Sequence, residues 1–190
     1  MNSMSKPKSV AIPKNSRLAG EPYDWFDAYE IVVDDEAQTL DTWSVCEVFL
    51  ADSPWWARLL FAVRNTIVRW VGLKADSIDM IRSRQLLDNF RTRPESEFPR
   101  DIGVVGAKVF SASNREITAG ADDWHLDFRG SLLVEPMSES HQTLVTLTTV
   151  VRFKHGFGRL YFLPVKPFHK LIIRSMLQRL ARRFSKREKI

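Results

Sequence analysis

Three polar residues spaced two apart, His125, Asp127 and Arg129, are the place in this sequence where chemistry could most readily reside. An imidazole oriented by a carboxylate can serve as a general acid or base, and a guanidinium beside them can hold an anionic head group through two parallel hydrogen bonds. In a strand, residues two apart share a face. His125, Asp127 and Arg129 would then line one side, and Trp124, Leu126 and Phe128 the other. Two readings follow. In the first, the aromatics and the leucine enter the core and the charged residues form a solvated ladder, as the general exposure of charged side chains favours. In the second, His125 and Asp127 face a cavity, and contact with Arg129 holds the Asp127 carboxyl below its ordinary range. His125 and Asp127 are the catalytic candidates of that second reading.

Other constellations fail. His125, His141, His155 and His169 are scattered without ligand spacing, and the chain has a single cysteine, so no metal site and no cofactor are expected. Cys46 lies within an apolar helical pattern and reads as a small buried hydrophobe in a reducing compartment. Gly103 and Gly106 fall inside a strand pattern rather than a phosphate loop, and no Gly-x-Ser-x-Gly elbow occurs.

At 190 residues, with 44% hydrophobic and 27% charged residues, the chain has the composition of one ordinary globular domain. Its six tryptophans and twelve phenylalanines call for large apolar surfaces to be filled. The formal net charge of +5 is unevenly spread: residues 166–190 carry nine basic side chains and one acid, leaving the remainder slightly acidic. That end could meet an anionic membrane surface or an acidic partner, or could simply be a solvated face. Nucleic acid is a poor fit, because Phe168 and Phe184 sit on the apolar stripe and do not interleave with the basic residues. Residues 1–20 lack the apolar core of a secretory signal and read as a flexible lead-in to one domain over 21–187. Arg58, Arg64 and Arg69 interrupt the most hydrophobic stretch, so a cytoplasmic protein that does not span a membrane is expected.

The elements that would position these residues follow in order. A first strand covers 23–33. A short helix capped by Asp41 or Thr42 follows, then a second begun by Ser53 and Pro54 and stopped at Gly72. Residues 74–93 read as a lid-like connection or a broken helix. Strands are predicted over 102–110, 116–120, 124–135 and 141–154 as an antiparallel meander. The stretch 158–189 reads as a long C-terminal helix, with Pro167 suited to its first helical position and Phe168, Leu171, Ile172, Met176, Leu177, Leu180, Ala181 and Phe184 on its apolar face. The class is α+β, with the last helix the one element long and apolar enough to cover the sheet.

This order resembles the helix-grip fold of the START-like (SRPBCC) superfamily. Several stretches are similar to a bacterial domain family of unknown function within it: Pro54-Trp55-Trp56 with Arg64, Val71-Gly72-Leu73-Lys74, Asp122 through Arg129, Gly158-Arg159-Leu160-Tyr161, and Pro167 through Ile172. The resemblance implies a curved sheet gripping the C-terminal helix around a cavity for a hydrophobic or amphipathic small molecule, lipid-like or aromatic. Trp124, His125, Asp127, Arg129, Phe168 and Ile172 would be its ligand contacts. A peripheral membrane or protein-interaction module using the basic helix, and a cyclase- or isomerase-type enzyme using His125, are the alternatives.

Overall fold

A computed structural model describes residues 6–51, 103–104, 107–138 and 140–187. Its elements are β1 (Lys8–Ser9), β2 (Trp25–Asp34), α1 (Thr42–Ala51), β3 (Gly103–Val104), β4 (Ala107–Ala112), β5 (Glu116–Asp122), β6 (Leu126–Met137), β7 (Gln142–Phe153) and α2 (Gly156–Arg187). The helix expected over 53–72 and the connection over 74–93 lie outside the described residues.

The sheet is antiparallel throughout, in the order β1-β2-β7-β6-β5-β4-β3. The meander is the expected one, and the first long strand, β2, returns to pair along its whole length with the last, β7. Directly paired residues share a face, so the register sorts the sheet into an inner face, toward α2, and an outer face. Along β2 the inner residues are Trp25, Asp27, Tyr29, Ile31 and Val33, opposite Val151, Thr149, Leu147, Val145 and Thr143 of β7.

α2 packs against β2 and β7, and α1 against α2 and β6. Two apolar clusters result. The larger joins Tyr29, Ile31, Val33, Leu132, Val134 and Val145 of the sheet to Val45 and Val48 of α1 and to Leu177, Leu180 and Ala181 of α2. The smaller joins Leu126 and Val151 to Phe162, with Trp25, Phe128, Phe153, Tyr161 and Val165 packed around it. α1 is held at its start by Asp41, whose Oδ1 accepts from the Ser44 amide at 2.8 Å, and by Trp43 Nε1, which donates to Asn114 Oδ1 at 3.1 Å.

Two expectations are corrected. The C-terminal helix begins at Gly156, well before Pro167, and carries Pro164 and Pro167 inside it. Each proline removes one helical donor, but both are exposed, so water can take the freed carbonyls. The expected apolar stripe is buried in its second half, at Leu177, Leu180 and Ala181, whereas Phe168 and Leu171 are exposed and Phe162 is buried in their place. The supposed lead-in is anchored from Lys8 onward. Lys8 and Ser9 pair with Glu30 and Tyr29, and Val10 N donates to Ala28 O at 3.0 Å. The segment then meets the outer face, where Ser16 and Leu18 are buried.

Candidate functional site

Between the two apolar clusters the inner face carries a different row of residues. The register places Asp27, Thr149, Gly130, Ala119 and Val109 side by side across β2, β7, β6, β5 and β4. The middle of this row is nearly without side chains. Among the described residues, a Cβ added to Gly130 would find only backbone oxygens, at 3.7 and 3.9 Å, and no atom of α2 within 4 Å. Ala119, Ala121, Phe128, Leu147 and Thr149 around it are half-buried, while Leu132, Val134 and Val145 farther along are buried. A strip of sheet floored by small residues and walled by Phe128 and Leu147 is thus left partly open.

At one end of the strip is Asp27. It is 6% exposed, and neither carboxylate oxygen makes a hydrogen bond among the described residues. α2 brings His169 over it, with Nε2 3.3 Å from Asp27 Oδ1 and 3.2 Å from Thr149 Oγ1. A carboxylate facing a ring nitrogen calls for a proton on that nitrogen. One nitrogen therefore faces both partners, and the two-nitrogen relay of an acid-imidazole-hydroxyl triad is not formed. The Trp25 ring stands edge-on to the imidazole, with centroids 5.9 Å apart. The Tyr29 hydroxyl, on the same face, is pushed above its ordinary pKa by burial and then by the Asp27 charge, with Arg174 pulling the other way.

The residues expected to act together from sequence are separated. Before β6 the chain turns, with Asp123 N donating to Leu126 O at 3.0 Å, and this breaks the alternation. His125 goes inward, 4% exposed, and Trp124 goes outward. The imidazole lies edge-on to Tyr161 at 5.0 Å and has Nδ1 3.4 Å from Asp123 Oδ2, while Trp124 stacks on Phe157 at 5.4 Å. Gly158, in the first turn of α2, comes so close to the His125 carbonyl that a Cβ there would collide with it. Only glycine permits this approach.

Asp127 and Arg129 are half-buried on the outer face. Asp127 Oδ1 lies 2.6 Å from Lys154 Nζ. Arg129 pairs with Asp122 at 2.5 Å and covers the Phe110 ring at 4.1 Å. Burial raises the Asp122 carboxyl, but the hydrogen bond and charge of Arg129 outweigh it and hold the group below its ordinary value. Asp127 and Arg129 share a shallow outer depression with Glu21, Pro22, Val150 and Arg152. Of the remaining expected contacts, Phe168 is exposed and Ile172 half-buried on α2. The half-buried Cys46 thiol is pushed up to about 12 by desolvation and then by Asp41 and Glu47, which suits a packing role.

Among the described residues no group of three or more His, Cys, Asp or Glu side chains is arranged to hold a metal ion, and no helix is long and apolar enough to cross a membrane. The model of a family described as "Protein of unknown function (DUF2867)" matches residues 20–176. The chain belongs to that family. The match includes Asp27, Thr149 and His169 and ends within α2, before the most basic turns. No curated protein and no solved structure gives a significant match.

Asp27, Thr149 and His169 are the residues that reading along the chain missed. One signal was present: Asp27 is the only charge in the inner series Trp25, Asp27, Tyr29, Ile31, Val33, where period two calls for an apolar side chain.

Proposed function

We propose that the protein is a small-molecule binding module of helix-grip, START-like type, which holds a hydrophobic or amphipathic ligand between the sheet and α2. Supporting the helix-grip assignment, β2 pairs with β7, a helix follows β2, and the C-terminal helix lies over that pair of strands. The observation that carries the functional reading is the half-open strip through Gly130 and Ala119, set between two closed apolar clusters and ending in a buried polar group. Ligand sites characteristically combine an apolar lining with few converging polar groups. Here Trp25, Phe128 and Leu147 would supply the lining. A cytoplasmic location is part of this reading, in keeping with the lone Cys46.

Native mass spectrometry of gently purified protein tests it. A discrete extra mass that leaves on denaturation is expected, with its chemical class read from an organic extract. A bare chain that stays bare after incubation with a cellular lipid extract would refute the reading.

A second reading has its own observation. The first half of α2 exposes Leu160 and Leu163, at 66% and 65%, together with Phe168 and Leu171, and the same helix bears exposed Arg174, Arg179, Arg182 and Arg183. An amphipathic face with basic residues suits an anionic membrane surface. That reading predicts salt-sensitive sedimentation with anionic liposomes. The cyclase or isomerase alternative has less support, since the His125 ring is enclosed by Trp124, Phe157 and Tyr161.

A further inference from the structure

We infer that Asp27, aligned by His169, recognises the polar head of the bound molecule, and that this head is a hydrogen-bond donor, an ammonium or hydroxyl group, on an otherwise apolar body. The inference rests on the binding-module reading and adds the chemistry of the ligand.

A buried carboxylate in a folded protein is normally saturated with donors. Asp27 is not: it is 6% exposed, and its Oδ2 has no hydrogen-bond partner among the described residues. The groups around it do not fill the deficit. His169 Nε2 addresses Oδ1 at 3.3 Å and is shared with Thr149 Oγ1. Tyr29 is two residues along the same face, and its hydroxyl makes no hydrogen bond to Asp27 among the described residues. Arg174 is near enough to influence Tyr29 but forms no ion pair with Asp27 among the described residues. Lys166 Nζ lies over the Trp25 ring, 5.6 Å from its centre, and makes no ion pair with Asp27 among the described residues.

A ligand donor at Oδ2 would complete the carboxylate, and a ligand carboxylate there would face a like charge. The body of the molecule has a matching floor. Beside Thr149 the same row continues through Gly130 and Ala119, where the missing side chains leave room between Phe128 and Leu147. The polar end and the apolar strip are adjacent by register alone.

The test is isothermal titration of the full chain at neutral pH with dodecylamine, dodecanol and dodecanoate, each kept below its micelle-forming concentration. The amine or the alcohol should bind at least about tenfold more tightly than the carboxylate, the worth of one charge-assisted hydrogen bond. Asp27→Asn, nearly isosteric, should bring the three within about threefold. Gly130→Leu should abolish binding of all three while the cooperative thermal transition is kept. Should Asp27→Asn fail to fold, the wild-type head-group order alone decides. Dodecanoate binding as tightly as the others, or a preference untouched by Asp27→Asn, would overturn the head-group inference while leaving the binding module intact. Equal binding by wild type and Gly130→Leu would instead remove the site itself.

Discussion

Two buried carboxylates, Glu116 on the outer face of the sheet and Asp27 on the inner, are treated in opposite ways. On the outer face Glu116, 5% exposed, accepts from Ser16 Oγ at 2.8 Å, from Ser131 Oγ at 2.6 Å and from the Arg17 amide at 3.0 Å. On the inner face Asp27 is equally buried and makes no hydrogen bond among the described residues. A saturated buried acid ties elements together, here the N-terminal segment to β5 and β6. An unsaturated one costs stability and is retained where something outside the fold completes it. The outer carboxylate is therefore a latch, and the inner one is the group to which the inference above assigns a ligand.

Breaking the latch should have the largest effect. Glu116→Ala orphans several buried donors and should cost about 2–4 kcal/mol in urea unfolding. It should also open the chain near Lys14 and Arg17 to trypsin. A cost below about 1 kcal/mol would remove the contrast between the faces.

The two glycines sharpen it next. Gly158→Ala must push the first turn of α2 away from the His125 carbonyl and should cost about 1–3 kcal/mol in thermal unfolding. Gly130→Ala meets nothing closer than 3.7 Å and should be neutral or stabilise by up to about 1 kcal/mol. Reversal of that order would mean that the inner strip is filled.

For Asp27→Asn, the same unfolding measurement should show a change of no more than about 1 kcal/mol, in either direction, because no hydrogen bond is lost. A loss like that of Glu116→Ala would show that Asp27 is structural.

The smallest effect belongs to the exposed Arg129 and Asp122 pair, where Arg129→Gln should cost less than about 1 kcal/mol. Its pH dependence has a definite sign. The folded Asp122 carboxyl lies below its ordinary 3.8, so the contribution is present above that value and fades as pH falls through the folded one. Acid unfolding curves of wild type and Arg129→Gln should therefore converge at low pH. Curves that diverge there would assign Arg129 some other role.

The strand order was legible along the chain wherever alternation was strong. β7 forms almost as read, because its apolar and threonine positions follow period two from end to end. The start of α2 was misread, because a proline suitable for a first helical turn is also tolerated inside a helix whose exposed side can be hydrated. The His125, Asp127, Arg129 constellation failed for a local reason of the same kind: alternation holds only within a strand, and β6 begins at Leu126. His125 belongs to the turn before it.

Composition and periodicity by themselves determined an α+β chain, an antiparallel meander and a basic C-terminal helix. Tertiary structure alone decided which polar residues meet. Asp27 and Thr149 adjoin through the register of β2 on β7, and His169 reaches them through the path of α2 across those strands. Periodicity along one segment fixes the face on which a side chain lies, but its neighbours on that face come from other strands and from the covering helix. Contacts between residues so far apart in sequence leave no local pattern to read.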